Sequence, residues 1–430
     1  MHVVLSTVRS HLEDRLIERG QQVLAVVPPA VQADRQARGV PYPMRTVAAW
    51  DDMRELSVLA TELATLNVES VVTTDETCLR AAASLRGRLG LPGQSLDSAT
   101  AGTDKHIQKD VLTAAGVPVA RHLPVDGVAG MESAAEVLGW PLIVKPRRGF
   151  AAIGTVLIRD RDHLRELHTT GAFGPQEVPA SLHGSGIHNG LDHVSGGILV
   201  EQGIDVLAEF HCEILRHHGR EIYALPGRYP GPLLGSSVLG AVLLPPGHPH
   251  AQRITALARA AADALQLSTG FGHVEILLSR SGDLLVGEIG LRPGGAMLPH
   301  LIRLQHEIDI WSLAADLAMD RVPQVSLRAE AQAVAWVAPM APPGLITAMD
   351  SPDDVRKWAG VIDVQQLVHV GQESPTRVGT LNPFAHVFAV GDTPEQAEAR
   401  AERAATAWQI TTSELSAHEA RTQLPAAASR

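Results

Sequence analysis

The sequence predicts a mixed α/β and α+β architecture in several parts, and three observations carry that prediction. The chain has 430 residues, too many for one ordinary hydrophobic core, so it should divide into subdomains. Near the N-terminus, short β-rich runs alternate with helical patterns. The runs are HVVLS (2–6), QVLAVVP (22–28) and SVVTTDE (70–76), and the helical patterns cover 51–66 and 77–89. That alternation is expected of a small parallel α/β unit. Beyond Pro323 the composition changes, and AVAWVAPMAPPGLIT and AHVFAVGDTPEQAEARAERAATAW read as strands plus one helix of an α+β unit.

The bulk numbers narrow the function class. A formal charge of −11 argues against non-specific nucleic-acid binding, which needs a basic face. Cys78 and Cys212 lie far apart without metal-type spacing, so no disulfide framework is expected and a reducing cytoplasm is the default. The opening MHVVLSTVRSHLEDRLIERG has no apolar signal region, and no run approaches the roughly 20 apolar residues of a membrane span. Only four lysines occur among 36 basic residues, at 105, 109, 145 and 357. A chain that uses arginine for generic positive charge retains lysine where a compact ammonium is useful, as at a phosphate. That consideration weights Lys105 and Lys145.

The middle of the chain follows in order. The first βα turn, STVRSH, lacks G-x-G-x-x-G, which disfavours a dinucleotide site there. GLPGQS (90–95) closes the N-terminal unit, and a helix is predicted over 103–116 with Thr103 or Asp104 as N-cap and Gly116 as the stop. WPLIVKP is a strand running into Lys145, RRGFAAIGT (147–155) a loop bearing Gly149 and Gly154, and VLIRD a returning strand. Such a loop can bring backbone N–H groups to phosphate oxygens while the lysine supplies charge, although it is not a Walker A sequence. Seen alone, Lys145 reads as plainly as a strand-end lysine beside a surface turn. Lys105 stands in the first turn of its helix, where the dipole disfavours a cation. A nearby phosphate would remove that penalty, and solvent would reduce it. Residues 171–197 are Gly-rich, His-bearing and aperiodic, and are expected to be a mobile insertion. Strands resume at 198–204, 208–215 and 221–227, a helix covers 250–265, and the tail after about 416 is expected to fray.

HVEILLSRSGDLLVGEIGLRPGG (273–295) reads as a hairpin. With Ser281-Gly282 as a two-residue turn, Leu277 faces Val286, Glu275 faces Glu288 and His273 faces Gly290. Like charges directly opposite are destabilising, so a cation is expected between the glutamates. Mg²⁺ suits the pair, since it takes one or two carboxylates plus phosphates and waters. The alternative leaves one glutamate in solvent and the other paired with a base such as Arg292.

The order of these pieces resembles the ATP-grasp superfamily, specifically its carboxylate–amine ligases. The matching stretches are TDK (103–105), GWPLIVKPRRGFAAIGT (139–155), ILVEQGI with AEF (198–210), GFGHVEILL (270–278) and GEIGLRPGG (287–295). The tail resembles, more loosely, the L-amino-acid ligase branch. The resemblance implies an N-terminal Rossmann-like parallel domain (1–102), an ATP-grasp domain (103–322) with a smaller lid at about 120–200, and a C-terminal α+β domain (323–430). It implies that Lys105 and Lys145 contact ATP phosphates beneath a flap at 147–154 that includes Arg148, Gly149 and Gly154. Glu201, Gln202 and Ile204 would line the adenine pocket, and Glu209 would bind ribose. Glu275 and Glu288 would hold two Mg²⁺ ions, with Mn²⁺ a substitute, and Arg292 would act on the transferring phosphate. The family's Asn metal ligand is Gly290 here, and His273 is the residue expected to fill that space or to orient a carboxylate. Arg228, His300 and Arg303 are candidates for a substrate carboxylate. The implied partners are a small-molecule carboxylate and an amine, with no nucleic acid and no membrane; a homodimer is left open. The implied activity is ADP-forming amide synthesis. A bicarbonate-activating carboxylase and a non-catalytic ATP-binding protein share the same motifs.

Overall fold

β1 (His2–Leu5), β2 (Val23–Val27), β3 (Met44–Thr46) and β4 (Ser70–Val72) form a parallel sheet in the order β3-β2-β1-β4. Every residue of β1 and β2 is buried, as central parallel strands covered on both faces must be. The order reverses at β1, so the loops after β1 and β4 leave a crevice at the carboxyl ends of the strands. The computed structural model describes residues 1–7, 9–175, 190–192, 196–234, 238–328, 332–374 and 383–413.

A helix over Lys105–Ala114 leads out of this unit, and Asp104 caps it by accepting from the His106 and Ile107 N–H groups. The same carboxylate holds the Arg147 guanidinium through Nε and Nη2 at 2.9 and 2.7 Å. The cap therefore also pins the start of the glycine-bearing loop. That loop joins β6 (Leu142–Pro146) to β7 (Val156–Ile158) in an antiparallel sheet completed by β5 (His122–Val125) and β8 (Ile198–Gln202), ordered β5-β8-β6-β7. Of the insertion expected at 171–197, residues 176–189 and 193–195 lie outside the described residues, as does the tail beyond 413.

The largest sheet begins with β9 (Val206–His217), β10 (Arg220–Arg228), β11 (Val238–Leu243), β12 (Gly270–Ser279) and β13 (Leu284–Gly290). Alternation along β9 sorts its two faces. Phe210, Cys212 and Ile214 are buried against Ile254, Ala258 and Ala261 of the helix Ala251–Ala264. Glu209, His211 and Glu213 point the other way, toward the cleft. Burying each large apolar side chain contributes roughly 1.5–3 kcal/mol, which holds the polar face in place.

The C-terminal segment supplies β14 (Ala333–Pro339), β15 (Gly344–Met349), β16 (Val361–Gln366), β17 (Glu373–Ser374), β18 (Ala385–Gly391) and β19 (Ile410–Ser413). Three of these extend the large sheet, whose full order is β13-β12-β9-β10-β11-β14-β18-β16, while β15, β17 and β19 make a small sheet of their own. β11 pairs with β14 from Val238–Pro339 to Val242–Ala335. The sheet thus runs straight through the boundary drawn at 323. The composition shift there marks a new covering layer, the Ala-rich helix Pro394–Ala407, and the small sheet, while the large sheet continues.

Candidate active site

The β12–β13 hairpin places Glu275 opposite Glu288 and His273 opposite Gly290, as the sequence predicts. The route differs. Ser279 N–H donates to Asp283 O at 2.9 Å, so the loop has three residues, 280–282, with Gly282 at φ +91°. That positive φ is characteristic of a three-residue hairpin loop. Leu277 accordingly faces Leu285, and the register shifts between Glu275 and Ile276, leaving Gly287 as the extra residue of a β-bulge. The longer loop and the bulge cancel, and the two carboxylates meet.

Lysines surround them. Lys105 Nζ lies 3.0 Å from Glu288 Oε1 and also donates to the Gly149 carbonyl. Glu201 Oε1 receives both Lys109 (3.1 Å) and Lys145 (3.0 Å). Burial works against that carboxylate's charge, yet the two ammonium groups outweigh it and hold its pKa down to about 2. Lys109 is the deeper cation, with a side chain 2% exposed against 12% for Lys145. Burial depresses Lys109 despite its partner, whereas for Lys145 the carboxylates Glu201 and Glu288 overcome burial and raise it. Arg292 Nε donates to Glu76 Oε2 at 2.9 Å, just past β4. Burial acts against the Arg292 charge, but Glu76, Glu288 and Glu275 together raise its pKa.

Beneath these groups lies a buried polar anchor. Glu213 Oε1 accepts from His273 Nδ1 at 2.6 Å and from His211 Nδ1 at 3.0 Å, and its Oε2 accepts the Gly294 N–H at 3.2 Å. Burial disfavours a charged His273, but the Glu213 carboxylate and the nearby Glu275 raise its pKa to about 10. His273 Nε2 lies 3.3 Å from the Tyr229 hydroxyl and 3.6 Å from Glu275 Oε1. The imidazolium therefore orients Glu275. It does not fill the space at Gly290, where a Cβ would stand 3.5 Å from Arg292 Cζ. Arg292 occupies that space.

His211 fits only because its β10 neighbour is Gly227. A Cβ there would come 2.1 Å from His211 Nε2, and the ring is fully buried and tied to Glu213. Gly227→Ala is expected to destabilise the fold by about 1–3 kcal/mol through overpacking, read as a lowered urea midpoint. An unchanged midpoint would mean that the ring moves freely.

These lysines, the opposed glutamates, Glu76, Glu201, His273 and Arg292 line one cleft of about 750 Å³, whose lining also includes Thr7, Arg9 and Asp75 of the parallel domain and Trp336 and His386. A family model described as "L-amino acid ligase C-terminal domain 2" matches residues 339–413. An L-arginine-specific L-amino acid ligase of Bacillus subtilis is 29% identical over 328 residues, spanning 75% of this chain and 76% of that protein. The crystal structure of an L-amino acid ligase from Bacillus licheniformis superposes with a TM-score of 0.71 at 19% identity, covering 96% of this chain and 99% of the other. The fold is that of the ATP-grasp enzymes, and the chain is similar to the L-amino-acid ligases among them. The fold recurs in the biotin carboxylase domain of a Hydrogenobacter thermophilus 2-oxoglutarate carboxylase, solved with MgADP and bicarbonate. Its TM-score is 0.63 at 14% identity, over 95% of this chain and 90% of that one.

Within this ATP-grasp cleft the predicted residues sort clearly. Lys105, Lys145, Gly149, Glu201, Gln202, Ile204, Glu209, His273, Glu275, Glu288 and Arg292 all line it. Arg148 and Gly154 belong to the same β6–β7 loop without lining the cavity. Glu209 Oε2 accepts the Leu233 N–H at 2.8 Å, and burial together with the Glu275 charge raises its pKa to about 8. The three substrate candidates are not brought to the cleft. Arg228 pairs with Phe210 on β9, so it shares that residue's face and reaches Glu395 and Glu398 of the C-terminal helix. His300 is bound to Asp363 at 2.9 Å and stacks edge-on against Phe388, and the guanidinium of exposed Arg303 lies 3.1 Å from His300 Nδ1. Sequence reasoning missed Lys109, Glu76 and Arg9 and gave Glu213 no role. Lys109 left a signal as a rare lysine one helical turn from Lys105, and strand alternation puts Glu213 on the face of Glu209 and His211.

Proposed function

We propose that the protein is an ADP-forming carboxylate–amine ligase that joins an amino-acid carboxylate to an amine through an acyl phosphate. The observation that carries this reading is the opposed pair Glu275 and Glu288 on a cleft floor ringed by Lys105, Lys145 and Arg292. The pair also meets the demands of a divalent cation. Without one, each carboxylate leans on a protein cation, Glu288 on Lys105 and Glu275 on His273. When bound, Mg²⁺ (or Mn²⁺), as one or two ions held by these glutamates, would supply charge neutralisation at the phosphates.

The chain's own residues account for the rest. A donor carboxylate oxygen attacks the γ-phosphorus of ATP, the bond to the bridging oxygen breaks, and ADP leaves. Lys105, Lys145 and Arg292 face the site where that charge redistributes, which is the main service a protein gives phosphoryl transfer. The acceptor nitrogen then attacks the acyl carbon, a C–N bond forms, the C–O bond to phosphate breaks, and the nitrogen loses a proton. Gly149 holds Lys105 from the flap side, so loop position and lysine position are coupled. Neither cysteine serves as a nucleophile, because both are buried and burial raises their thiol pKa values.

The test is phosphate release over a matrix of L-amino-acid pairs, with mass spectrometry of the products. The expected result is phosphate together with a product of the summed masses less water, only when an amine is present. Phosphate release with bicarbonate and no amine would move the assignment to a carboxylase.

A further inference from the structure

One positive side chain in the cleft stands apart from the machinery just described. Lys105, Lys109, Lys145, Arg292 and His273 each have a carboxylate partner within the protein. Arg9 also lines the cleft, and among the described residues it has no carboxylate within ion-pair distance. It sits in the loop after β1, at the point where the strand order of the parallel sheet reverses. Ligands of open α/β sheets bind there, outside the carboxyl ends of the strands.

The loop is built to hold that side chain still. Thr7 donates to Asp75 Oδ2 through its N–H at 2.6 Å and its hydroxyl at 2.9 Å, tying the loop after β1 to the loop after β4. Arg35, fully buried and paired with Glu13 at 2.6 Å, donates to the Arg9 carbonyl at 2.9 Å. The Arg9 guanidinium lies over the Trp311 ring, 5.6 Å from its centroid, an arrangement that leaves in-plane N–H donors available for a planar anion. Burial lowers its pKa, Asp75 opposes that, and the charge of Arg292 lowers it further. Two guanidinium groups thus sense each other across a cleft in which only one has its own anion.

The chemistry specifies that anion. The donor's carboxylate is consumed when it becomes an acyl phosphate, beside Glu288 and Arg292. An amino-acid acceptor instead carries its α-carboxylate unchanged through the whole reaction and needs a cation that phosphates do not claim. We propose that Arg9 is the residue that binds the acceptor's α-carboxylate and so selects acceptors with a free carboxylate over their amides. This inference rests on the ligase reading above and specifies its second substrate.

The test compares free L-amino acids with their α-carboxamides as acceptors, at saturating ATP and donor, in the wild-type protein, Arg9→Ala and Arg9→Lys. The loss of a charged hydrogen-bonded contact predicts that Arg9→Ala raises KM for the free acid about 10- to 100-fold. KM for the carboxamide and for ATP should stay within about threefold, and Arg9→Lys should recover part of the loss. Arg9→Gln, which keeps a planar group over Trp311, serves if the alanine variant does not fold. Equal weakening of both acceptors, or a raised KM for ATP, would overturn the assignment while leaving the ligase reading intact. If the wild-type protein joins no acceptor of either kind, the ligase reading falls and the Arg9 assignment falls with it.

Discussion

Glu288→Gln leaves a folded protein whose ATP-dependent phosphate release drops by at least about 10²–10³-fold, the scale on which lost transition-state charge stabilisation is felt. The substitution keeps shape and removes only the negative charge that faces Glu275 and pairs with Lys105. Two small effects on stability oppose each other. Relief of the like-charge contact with Glu275 stabilises the hairpin, and loss of the Lys105 partner destabilises it, each by roughly 0.2–1 kcal/mol. The urea midpoint should therefore hardly move while turnover disappears. A chelator should abolish wild-type phosphate release in the same way, with activity restored by added Mg²⁺. Turnover of the glutamine variant within a few-fold of wild type would remove the metal role of this glutamate.

Glu201→Gln acts on stability instead. Its carboxylate is the sole ion-pair partner of Lys109 and Lys145 among the described residues, and all three side chains are buried or nearly so. Removing one member of a buried ion pair costs about 3–5 kcal/mol, because a charge is left without compensation. The pH dependence gives a second handle. The folded-state pKa of Glu201 is depressed from 4.5 to about 2. The unfolded chain therefore binds the proton first as pH falls, and the stabilisation is complete above 4.5 and fades toward 2. Urea midpoints measured from pH 7 to pH 3 should show a wide gap between wild type and variant that narrows in acid. A gap that stays constant with pH, or one below about 1 kcal/mol at neutral pH, would mean that Glu201 does not carry the lysine pair.

Much of the floor of the site was legible because strand pairing is local arithmetic. Hairpin pairing brings Glu275 and Glu288 together even though the loop is one residue longer than a two-residue turn, because the bulge at Gly287 restores the register at the carboxylates. The same parity would have excluded Arg228 had β9 been paired with β10, since Arg228 falls opposite Phe210. Hairpin arithmetic carries no information beyond the hairpin itself. Glu76 meets Arg292 from 216 positions away, and Glu213 meets His273 from 60. Nothing in the composition around Glu76 or Arg9 distinguishes them from surface residues of a loop. The composition shift past 323 carries no sign of the shared sheet for a related reason, since a change of covering helix alters composition while the β11–β14 pairing continues.

The β11–β14 ladder bears on how chains of this kind can be cut and recombined. A chain shortened at 322 would retain Lys105, Lys109, Lys145 and the paired glutamates, yet β11 would keep β10 and lose β14, presenting an open edge, a template for pairing with foreign strands. It would also lose Trp336 and His386, which wall the cleft. The C-terminal quarter is thus no detachable accessory, and a graft between relatives at that point would have to carry the cavity wall along with it.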